Sequence, residues 1–372
     1  MFITKQDLFK DHTDAVVVTV FSDHIGAFGI HKKEGTAEVW GMAEEAQEEA
    51  AWADRYIDPG AVVLNIYKAV AAFLRGVNGR KPTHIFFILG DGAATTRFAR
   101  VHAARDDAER KITREEADAL VGRPYGHEGA ADAVRFRNFP QHFFVDGFAV
   151  DDPFGMRGTE ITVNLLSVTA PAVFLDALKE MAQGLGMVYG GCLDIASVVA
   201  ERIQAKSSAR DYLSCCVFCH ETVLLLVRGG TVAGMDVIPS GYDILYAALA
   251  KTHGIGKEEA RHITGKASGG TLRPDVTATL ERMLGEQAPA FARVVREGYL
   301  RLDKENLLPG SFFIGVPACA AGFSQALLDE GQFADFPVER GGTIQDLEVI
   351  FPETPGSGSF LFDRIVIDHC IS

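Results

Sequence analysis

Residues 211–240 restrict the fold of this chain more than any other stretch, because they form three consecutive strand patterns. The middle pattern is apolar at almost every position, which indicates a sheet that is covered on both faces rather than a solvated hairpin. Gly229-Gly230 marks a turn, and Pro239 ends the third pattern. The three predicted strands are Leu213–Phe218, Thr222–Val227 and Thr231–Ile238, and helical patterns follow at Tyr242–His253 and Lys257–Lys266.

The first ninety residues repeat the three-strand order. A helix is predicted from Asp58 to about Arg75, with Asp58-Pro59-Gly60 at its start. A buried strand, Thr83–Leu89, then ends at Gly90-Asp91-Gly92. The three strand patterns before the helix are Ala15–Phe21, Ile25–His31 and Thr36–Gly41. Two such halves, each a sheet with helices packed on it, predict a duplicated α/β architecture with a cleft between two lobes.

The pattern changes between Arg97 and Thr169, where we predict a compact α+β insertion. Thr113 and Glu116 form a capping box at the start of a short helix. The insertion has two further strand patterns, a loop and a closing helix. These are Phe143–Val150 and Glu160–Val168, the polar loop Gly126–Asp132, and the helix Pro171–Gly184.

Charge and composition exclude several classes of function. The formal net charge is −14, and an acidic surface repels nucleic acid and anionic lipid. No stretch of eighteen apolar residues could span a bilayer, and the polar N-terminus argues against secretion. Six cysteines in so long a chain indicate reduced, buried thiols. We therefore expect a cytoplasmic protein without a direct membrane anchor.

Four short motifs resemble the actin-like ATPase superfamily, and within it the bacterial cell-division protein FtsA and its pilus relative PilM. They are Ile112-Thr113-Arg114-Glu115-Glu116, Pro140–Asp146, Asp152–Gly158 and Val237–Gly241. The resemblance implies a duplicated actin-like (ribonuclease H-like) fold with an inserted α+β subdomain. It divides the chain into a first actin-like subdomain (1–92, returning at 170–210), the insertion (93–169), a second actin-like domain (211–350) and a divergent tail (351–372).

In this superfamily ATP and Mg²⁺ lie between two glycine-rich turns, where glycine lets backbone N–H groups approach the phosphates. The resemblance places a degenerate form of this cleft at thirteen positions. They are Thr19, Phe21, Ser22 and Asp23 in the first turn, Cys216, Phe218, Cys219, His220 and Glu221 in the second, Glu259 and His262 on the adenine-side helix, and Gly315 and Val316 in the adenosine loop.

The replacements at these positions oppose nucleotide binding. Phe21 and Phe218 stand where glycines are expected, and Glu221 would direct a carboxylate at phosphate, which costs several kcal/mol in a closed cleft. We therefore predict that the fold is kept, that ATP hydrolysis is lost and that no cofactor is needed, with ATP and Mg²⁺ disfavoured. The enzyme alternative is a divergent ATPase or a sugar-kinase-type phosphotransferase that uses the same cleft.

Several local patterns allow more than one interpretation. Cys216-Val217-Phe218-Cys219-His220 matches a haem-attachment string and offers zinc ligands, but buried structural thiols are the simpler reading. Asp23-His24 is either a surface turn or an acid–base pair opposite His220-Glu221. Asp368-His369-Cys370 is interpreted as a frayed end after a predicted strand, Phe362–Ile367.

The predicted function is that of a scaffold that acts through protein–protein contacts. The expected partners belong to a division or pilus-type assembly that could recruit the chain to the membrane, and self-association is a further expectation. A PilM-like component of a type IV pilus or secretion system is the alternative within this class. The insertion is expected to supply a contact surface through its aromatic residues, as interface cores do. These are Phe139, Phe143, Phe144, Phe148 and Phe154.

Overall fold

A computed structural model describes residues 13–33, 36–47, 58–77, 81–123, 133–268, 273–302, 309–316, 343–347, 351 and 361–371. The strands are β1 Thr13–Val20, β2 His24–Lys33, β3 Thr36–Ala46, β4 His84–Leu89, β5 Thr95–Ala104, β6 Ala133–Val145, β7 Phe148–Val150, β8 Glu160–Pro171, β9 Val188–Asp194, β10 Tyr212–Val217, β11 Thr222–Arg228, β12 Thr231–Ile238, β13 Ser311–Gly315 and β14 Thr343–Asp346. The helices are α1 Pro59–Gly76, α2 Arg114–Val121, α3 Ala172–Gly184, α4 Ile195–Lys206, α5 Asp243–His253, α6 Lys257–Ser268, α7 Pro274–Leu302 and α8 Leu361–Ile371.

The first lobe is built on a five-stranded sheet of order β3-β2-β1-β4-β9. β1 runs antiparallel to β2 and parallel to β4, so that Val17 lies opposite both Phe28 and Phe86. One face of the sheet packs on α1 and α3, and the other packs on α4 and α8. Burial of both faces explains why β1 is apolar at nearly every position. The predicted helix at Asp58 is confirmed, since the Asp58 carboxylate caps the N–H groups of Gly60 and Ala61.

The second lobe repeats this arrangement in a sheet of order β12-β11-β10-β13-β14. Successive residues of β10 face opposite sides, as the pleat requires. Cys215 packs beneath α5, α6 and α7, whereas Cys216 packs in the core that contains α4 and α8. The predicted three-strand meander with both faces covered is therefore confirmed.

Helices α4 and α8 lie between the two sheets, and the core around them contains residues from both. The layers are thus α1 and α3, the first sheet, α4 and α8, the second sheet, and then α5 to α7. This is the predicted duplicated α/β architecture, in which the ends of β1 and β10 meet at the interlobe cleft.

The insertion is a four-stranded sheet of order β5-β8-β6-β7 with α2 packed on it. The predicted N-cap is confirmed, since the Thr113 side chain accepts the N–H of Glu116 at 3.2 Å. A single strand over Phe143–Val150 is wrong, because Asp146 and Gly147 take positive φ values of 48° and 79° and form a hairpin turn there. The sequence also missed β5. The predicted loop Gly126–Asp132 lies outside the described residues.

The predicted C-terminal strand Phe362–Ile367 is wrong, because these residues belong to helix α8. The alternation of polarity that suggested a strand does not mark a solvated face, since Asp363 and Arg364 are buried along with their apolar neighbours. A helix satisfies its own backbone hydrogen bonds in a layer enclosed by two sheets. His369 and Cys370 are buried as well, so the interpretation of residues 368–370 as a frayed end is also wrong.

Candidate functional site

Two turns with the same backbone hydrogen-bond pattern follow the carboxyl ends of β1 and β10 in the interlobe cleft. In the first, the Phe21 N–H donates to the His24 carbonyl at 3.0 Å. In the second, the Phe218 N–H donates to the Glu221 carbonyl at 2.8 Å. Each turn therefore has only two residues between its closing pair, and each begins with a buried phenylalanine. These are the positions at which the resemblance places phosphate-binding glycines.

Phe21 and Phe218 fill the space between the turns together with Phe362 of α8. The ring centroids of Phe218 and Phe362 are 4.5 Å apart, and the Phe21 centroid lies 6.0 Å from that of Phe218 and 6.1 Å from that of Phe362. All three side chains are at most 2% exposed. Gly90 packs directly on the Phe21 ring, where an added Cβ would approach within 2.2 Å. A closed aromatic cluster thus occupies the base of the cleft.

The Asp91 carboxylate joins the two turns. It accepts the Ser22 N–H at 3.1 Å, the Ser22 hydroxyl at 2.6 Å and, from the other lobe, the His220 N–H at 3.3 Å. Asp91 is only 2% exposed, and burial, together with the nearby charge of Asp23, raises its pKa. The sequence interpretation treated residues 90–92 only as a turn. The signal that could have found Asp91 is an acidic residue two positions after a buried parallel strand.

Asp23 and His24 form a buried ionic chain that links both lobes to α8, so the surface-turn interpretation is wrong. His24 Nδ1 contacts the Asp23 carboxylate at 2.8 Å, and Nε2 contacts the Asp363 carboxylate at 3.2 Å. The Tyr242 hydroxyl of the second lobe donates to Asp23. The partners of His24 are thus Asp23 and Asp363, rather than the expected pair His220 and Glu221.

The protonation of this chain follows from its contacts. Burial opposes the charge on His24, but the carboxylates of Asp23 and Asp363 outweigh burial and raise its pKa to about 10. Burial likewise opposes ionisation of Asp23, yet His24, Tyr242 and Arg261 hold its pKa well below the usual range. The chain is therefore an ion pair at neutral pH, with the positive charge shared between two acidic residues.

On helix α6 the residue that reaches the cleft is Arg261, and not Glu259 or His262, which the resemblance indicated. Arg261 Nη1 donates to the Gln47 carbonyl at 2.6 Å, and Nη2 donates to the Asp23 carbonyl. Glu259 and His262 are exposed on the same helix. The fork of the guanidinium can hold two carbonyl oxygens of the first lobe at once, which the single ammonium of a lysine does less well.

The other predicted cleft residues have structural contacts. Thr19 Oγ1 accepts the Gly26 N–H at 3.1 Å inside the β1–β2 hairpin. Cys216 and Val316 are buried in apolar cores, and the Cα of Gly315 is covered by Leu347. His220 Nδ1 contacts Asp243 at 3.3 Å, and this hydrogen bond raises the pKa of His220.

These residues do not fit ATP with Mg²⁺ in this conformation. Phenylalanine rings fill the space between the turns, and the N–H groups of Ser22 and His220 already bind the Asp91 carboxylate. Asp23, which could have served as a metal ligand, is neutralised by His24 and Arg261. No group of three or more potential metal ligands occurs among the described residues, and none of the described helices could cross a membrane.

A second candidate site is a groove of about 490 Å³ between the insertion and the first lobe. Two strand edges run along it. β9 is the last strand of the first sheet. Within the part of the chain that the structure describes, β6 pairs with β7 only through Phe143–Val145, so the first ten residues of β6 pair there with β8 alone. The groove is lined by Asp118, Val121, Gly122, Phe136, Arg137, Asn138, Phe139, Pro140, Lys179, Tyr189, Gly190, Gly191 and Cys192.

Arg137 crosses this groove. Its Nη1 donates to the Cys192 carbonyl of β9 at 3.3 Å, and its guanidinium lies 4.3 Å from the centre of the Phe139 ring. Asn138 donates to the Val121 carbonyl at the end of α2 at 2.7 Å. The Arg137 contact with β9 holds the insertion against the first lobe, whereas the Asn138 contact fixes β6 to α2 within the insertion. The groove has an apolar lining with charges at its edge.

The five predicted contact phenylalanines do not form one surface. Phe139 lines the groove, and Phe148 is 77% exposed on the β6–β7 hairpin. Phe143 is wrong as a contact residue, because it is buried in the core of the insertion. Phe144 and Phe154 are half-buried beneath Arg100 and Arg114, each with 5.2 Å between guanidinium and ring centre.

Comparison with known proteins identifies the fold. No protein-family model and no curated protein sequence matches the chain. The structure is similar to that of the PilM–PilN type IV pilus biogenesis complex, with a TM-score of 0.63 and 11% identity over 95% of this chain and 97% of that one. The ethanolamine utilization protein EutJ from Carboxydothermus hydrogenoformans gives a TM-score of 0.48 and 13% identity over 94% and 88% of the two chains. The predicted duplicated actin-like fold and the resemblance to PilM in fold are confirmed.

Proposed function

We propose that this chain is an actin-like scaffold that does not hydrolyse ATP and that holds an extended segment of a partner protein between its insertion and its first lobe. The observation that carries this proposal is the groove between the strand edges of β6 and β9. A strand edge presents backbone N–H and C=O groups that an extended segment can pair with.

The size and lining of the groove support an extended, mainly apolar occupant. Its volume of about 490 Å³ lies within the range of roughly 300–1,000 Å³ that is typical of ligand-binding clefts. Phe136, Phe139 and Tyr189 offer apolar area, and Arg137 and Lys179 add positive charge. Asp118 also lines the groove, and Lys179 is paired with Asp176 at 2.8 Å, so the lining favours a segment with mainly apolar side chains.

The closed interlobe cleft supports the absence of catalysis. Phe21, Phe218 and Phe362 occupy its base, and the two turns direct their free N–H groups to Asp91. Catalysis of phosphoryl transfer depends on positioned donors and metal ions around the transferred group. In this chain those donors have internal partners.

The identity of the partner class rests on analogy of fold alone. The similar solved structure is a complex of PilM with a second protein, PilN, in type IV pilus biogenesis. We infer a partner of the same kind, from a pilus or related envelope assembly, and a cytoplasmic location from which that partner recruits the chain. A role in cell division is the alternative assembly.

A divergent phosphotransferase is the second candidate, because a smaller cavity of about 230 Å³ adjoins the cleft. Asp91, Arg97 and Glu221 contribute charged groups to it, and Phe218 forms part of its wall. Its volume is below the usual range of small-molecule sites. The scaffold is therefore the function that the geometry supports better.

The groove can be blocked by a single substitution without disturbing the fold. Gly122 follows α2 with φ −78° and ψ −11°, which any residue adopts, and an added Cβ would come no closer than 3.4 Å to its neighbours. Gly122→Trp should therefore fold and fill part of the groove. Gly76→Trp is the matched control, since Gly76 has open space around it at the end of α1.

The test measures binding of peptides taken from the cytoplasmic segments of proteins encoded beside this gene, by fluorescence anisotropy. We expect one extended segment to bind the wild-type chain and the Gly76→Trp variant equally, and to bind Gly122→Trp at least ~10-fold more weakly, about 1.4 kcal/mol. Equal affinity for Gly122→Trp and the wild type would contradict the proposed site.

A further inference from the structure

The strongest unassigned feature is the convergence of three donors on Asp91. The Ser22 N–H and hydroxyl come from the turn after β1, and the His220 N–H comes from the turn after β10. These contacts bridge the two lobes. They involve neither the groove nor any catalytic role of the cleft.

The local backbone positions this carboxylate. Gly90 packs on the Phe21 ring and its N–H donates to the Val20 carbonyl at 2.8 Å, which holds the start of the turn against β1. Gly92 takes a left-handed φ of 75°, and the N–H of Ala93 returns to the Gly90 carbonyl at 3.2 Å. The tight turn leaves the Asp91 side chain pointing at both β-hairpin turns.

The donor set matches what a small oxyanion requires. Two backbone N–H groups and one hydroxyl, on separate turns, are the elements of an anion-binding nest. The hydrogen bond of His220 with Asp243 raises the pKa of the His220 ring, which favours a positive charge beside the anion. The negative charge of Asp23 disfavours an anion at this site, but that charge is balanced by His24 and Arg261.

We propose that Asp91 is an internal ligand of a small-oxyanion site, and that its carboxylate holds the two lobes closed by filling that site from within the chain. The site takes a small anion, because it offers only three donors and Phe218 forms part of the wall beside Asp91. The inference goes beyond the proposed function and does not depend on any partner protein.

Removing the carboxylate should expose the site to an external anion. In Asp91→Ala the space that the carboxylate filled adjoins the cavity of about 230 Å³ that Asp91 also lines, so a formate ion can reach it. We expect the thermal midpoint of this variant to fall by roughly 4 °C or more, because three hydrogen bonds are lost at a buried interlobe contact. Sodium formate should restore at least half of the loss.

The controls separate the site from general salt effects. Sodium chloride at equal ionic strength should restore much less, formate should leave the wild-type midpoint unchanged, and the exposed Asp151→Ala should neither lose stability nor respond. A midpoint in Asp91→Ala that equals the wild type overturns the proposal. A loss that formate and chloride restore equally, or that neither restores, overturns it as well.

A second variant covers the case in which Asp91→Ala does not fold. Asp91→Asn keeps the shape of the side chain but replaces one acceptor oxygen with an N–H₂ group, and it leaves no space for formate. The remaining oxygen can still accept one of the two amides, so in hydrogen exchange at least one of the Ser22 and His220 amides should exchange at least ~10-fold faster in Asp91→Asn than in the wild type, and formate should not slow it. Unchanged protection of both amides overturns the internal-ligand assignment.

Discussion

Replacing Phe362 with alanine should destabilise the whole protein, because this side chain joins the last helix to both lobes. Phe362 is 1% exposed, and its ring lies 4.5 Å from that of Phe218 and 6.1 Å from that of Phe21. Truncation of a buried phenylalanine costs about 3–5 kcal/mol, and the aromatic pairs are responsible for about 0.5–1.5 kcal/mol each of that cost.

This free energy converts into a measurable shift of the thermal midpoint. At about 2.1 cal/mol/K per residue, unfolding 372 residues has an entropy of about 0.8 kcal/mol/K, so the midpoint should fall by roughly 4–6 °C. Differential scanning calorimetry measures the shift, with urea unfolding at constant m-value as an independent check. Phe148→Ala is the matched control, since Phe148 is 77% exposed and should change the stability by less than ~0.5 kcal/mol.

The comparison between the two variants is decisive for the placement of α8. If Phe362→Ala and Phe148→Ala shift the midpoint equally, then Phe362 is not buried between the lobes, and the account of a cleft filled by its own side chains fails. Phe362→Leu offers a further check. It keeps most of the apolar volume and should recover a large part of the loss.

Three further predictions concern the ionic chain, the second turn and the insertion. The pKa of His24 is about 10 in the folded state and about 6.5 in the unfolded state, so the stability that its charge contributes is complete below pH 6.5 and is lost as the pH rises towards 10. The difference in thermal midpoint between the wild type and His24→Gln should therefore narrow over that interval. A difference that stays constant would contradict the ion-pair assignment. Gly241→Ala would place a Cβ 2.2 Å from the Phe218 carbonyl oxygen and should lower the free energy of unfolding in urea by about 1–3 kcal/mol. Gly256→Ala is the control, because Gly256 has open space around it and its substitution should leave the free energy of unfolding unchanged. Equal effects of the two substitutions would refute the packing of the second turn. Arg105→Lys removes the planar guanidinium that donates to Glu116 and to the Gly158 carbonyl, so limited proteolysis of the insertion should become faster. Arg157→Lys is the control, because it changes an exposed ion pair and should leave the proteolysis rate unchanged. Similar rates in both variants would argue against a structural role of Arg105.

The sequence predicted the fold well because the signals for it are local and periodic. The runs of apolar residues in β1 and β11 indicate strands buried on both faces, and Asp58 and Thr113 mark helix starts that the structure confirms. The duplication could be detected because both halves place three such strands before a helix. The change of pattern between Arg97 and Thr169 then indicated the insertion.

The sequence predicted the tail and the site less well because their contacts are distant along the chain. His24 contacts Asp363, which lies 339 residues away, and Asp91 contacts the amide of a turn 129 residues away. The segment from Phe362 to Ile367 alternates like a strand, and only the enclosing sheets determine that it is helical. Arg261 was missed because the resemblance pointed to Glu259 and His262, which are exposed on the same helix, and because its acceptor at Gln47 is 214 residues away.

The same limitation applies to the phenylalanines of the insertion. Their composition indicated an interface, but composition does not distinguish Phe143 in the core of the insertion from Phe148 on its surface. The groove that contains Phe139 arises from two strand edges in different sheets, β6 and β9. No single stretch of the sequence contains both of them.

Calorimetric titration with Mg·ATP tests the central claim most directly, since a cleft filled by Phe21, Phe218, Phe362 and Asp91 leaves no place for a triphosphate. We expect no heat of binding at millimolar nucleotide and no change of the thermal midpoint. Saturable binding, with the stabilisation of about 2.7 kcal/mol that a ligand at 100 times its Kd confers, would show that the cleft opens to nucleotide and would contradict the account.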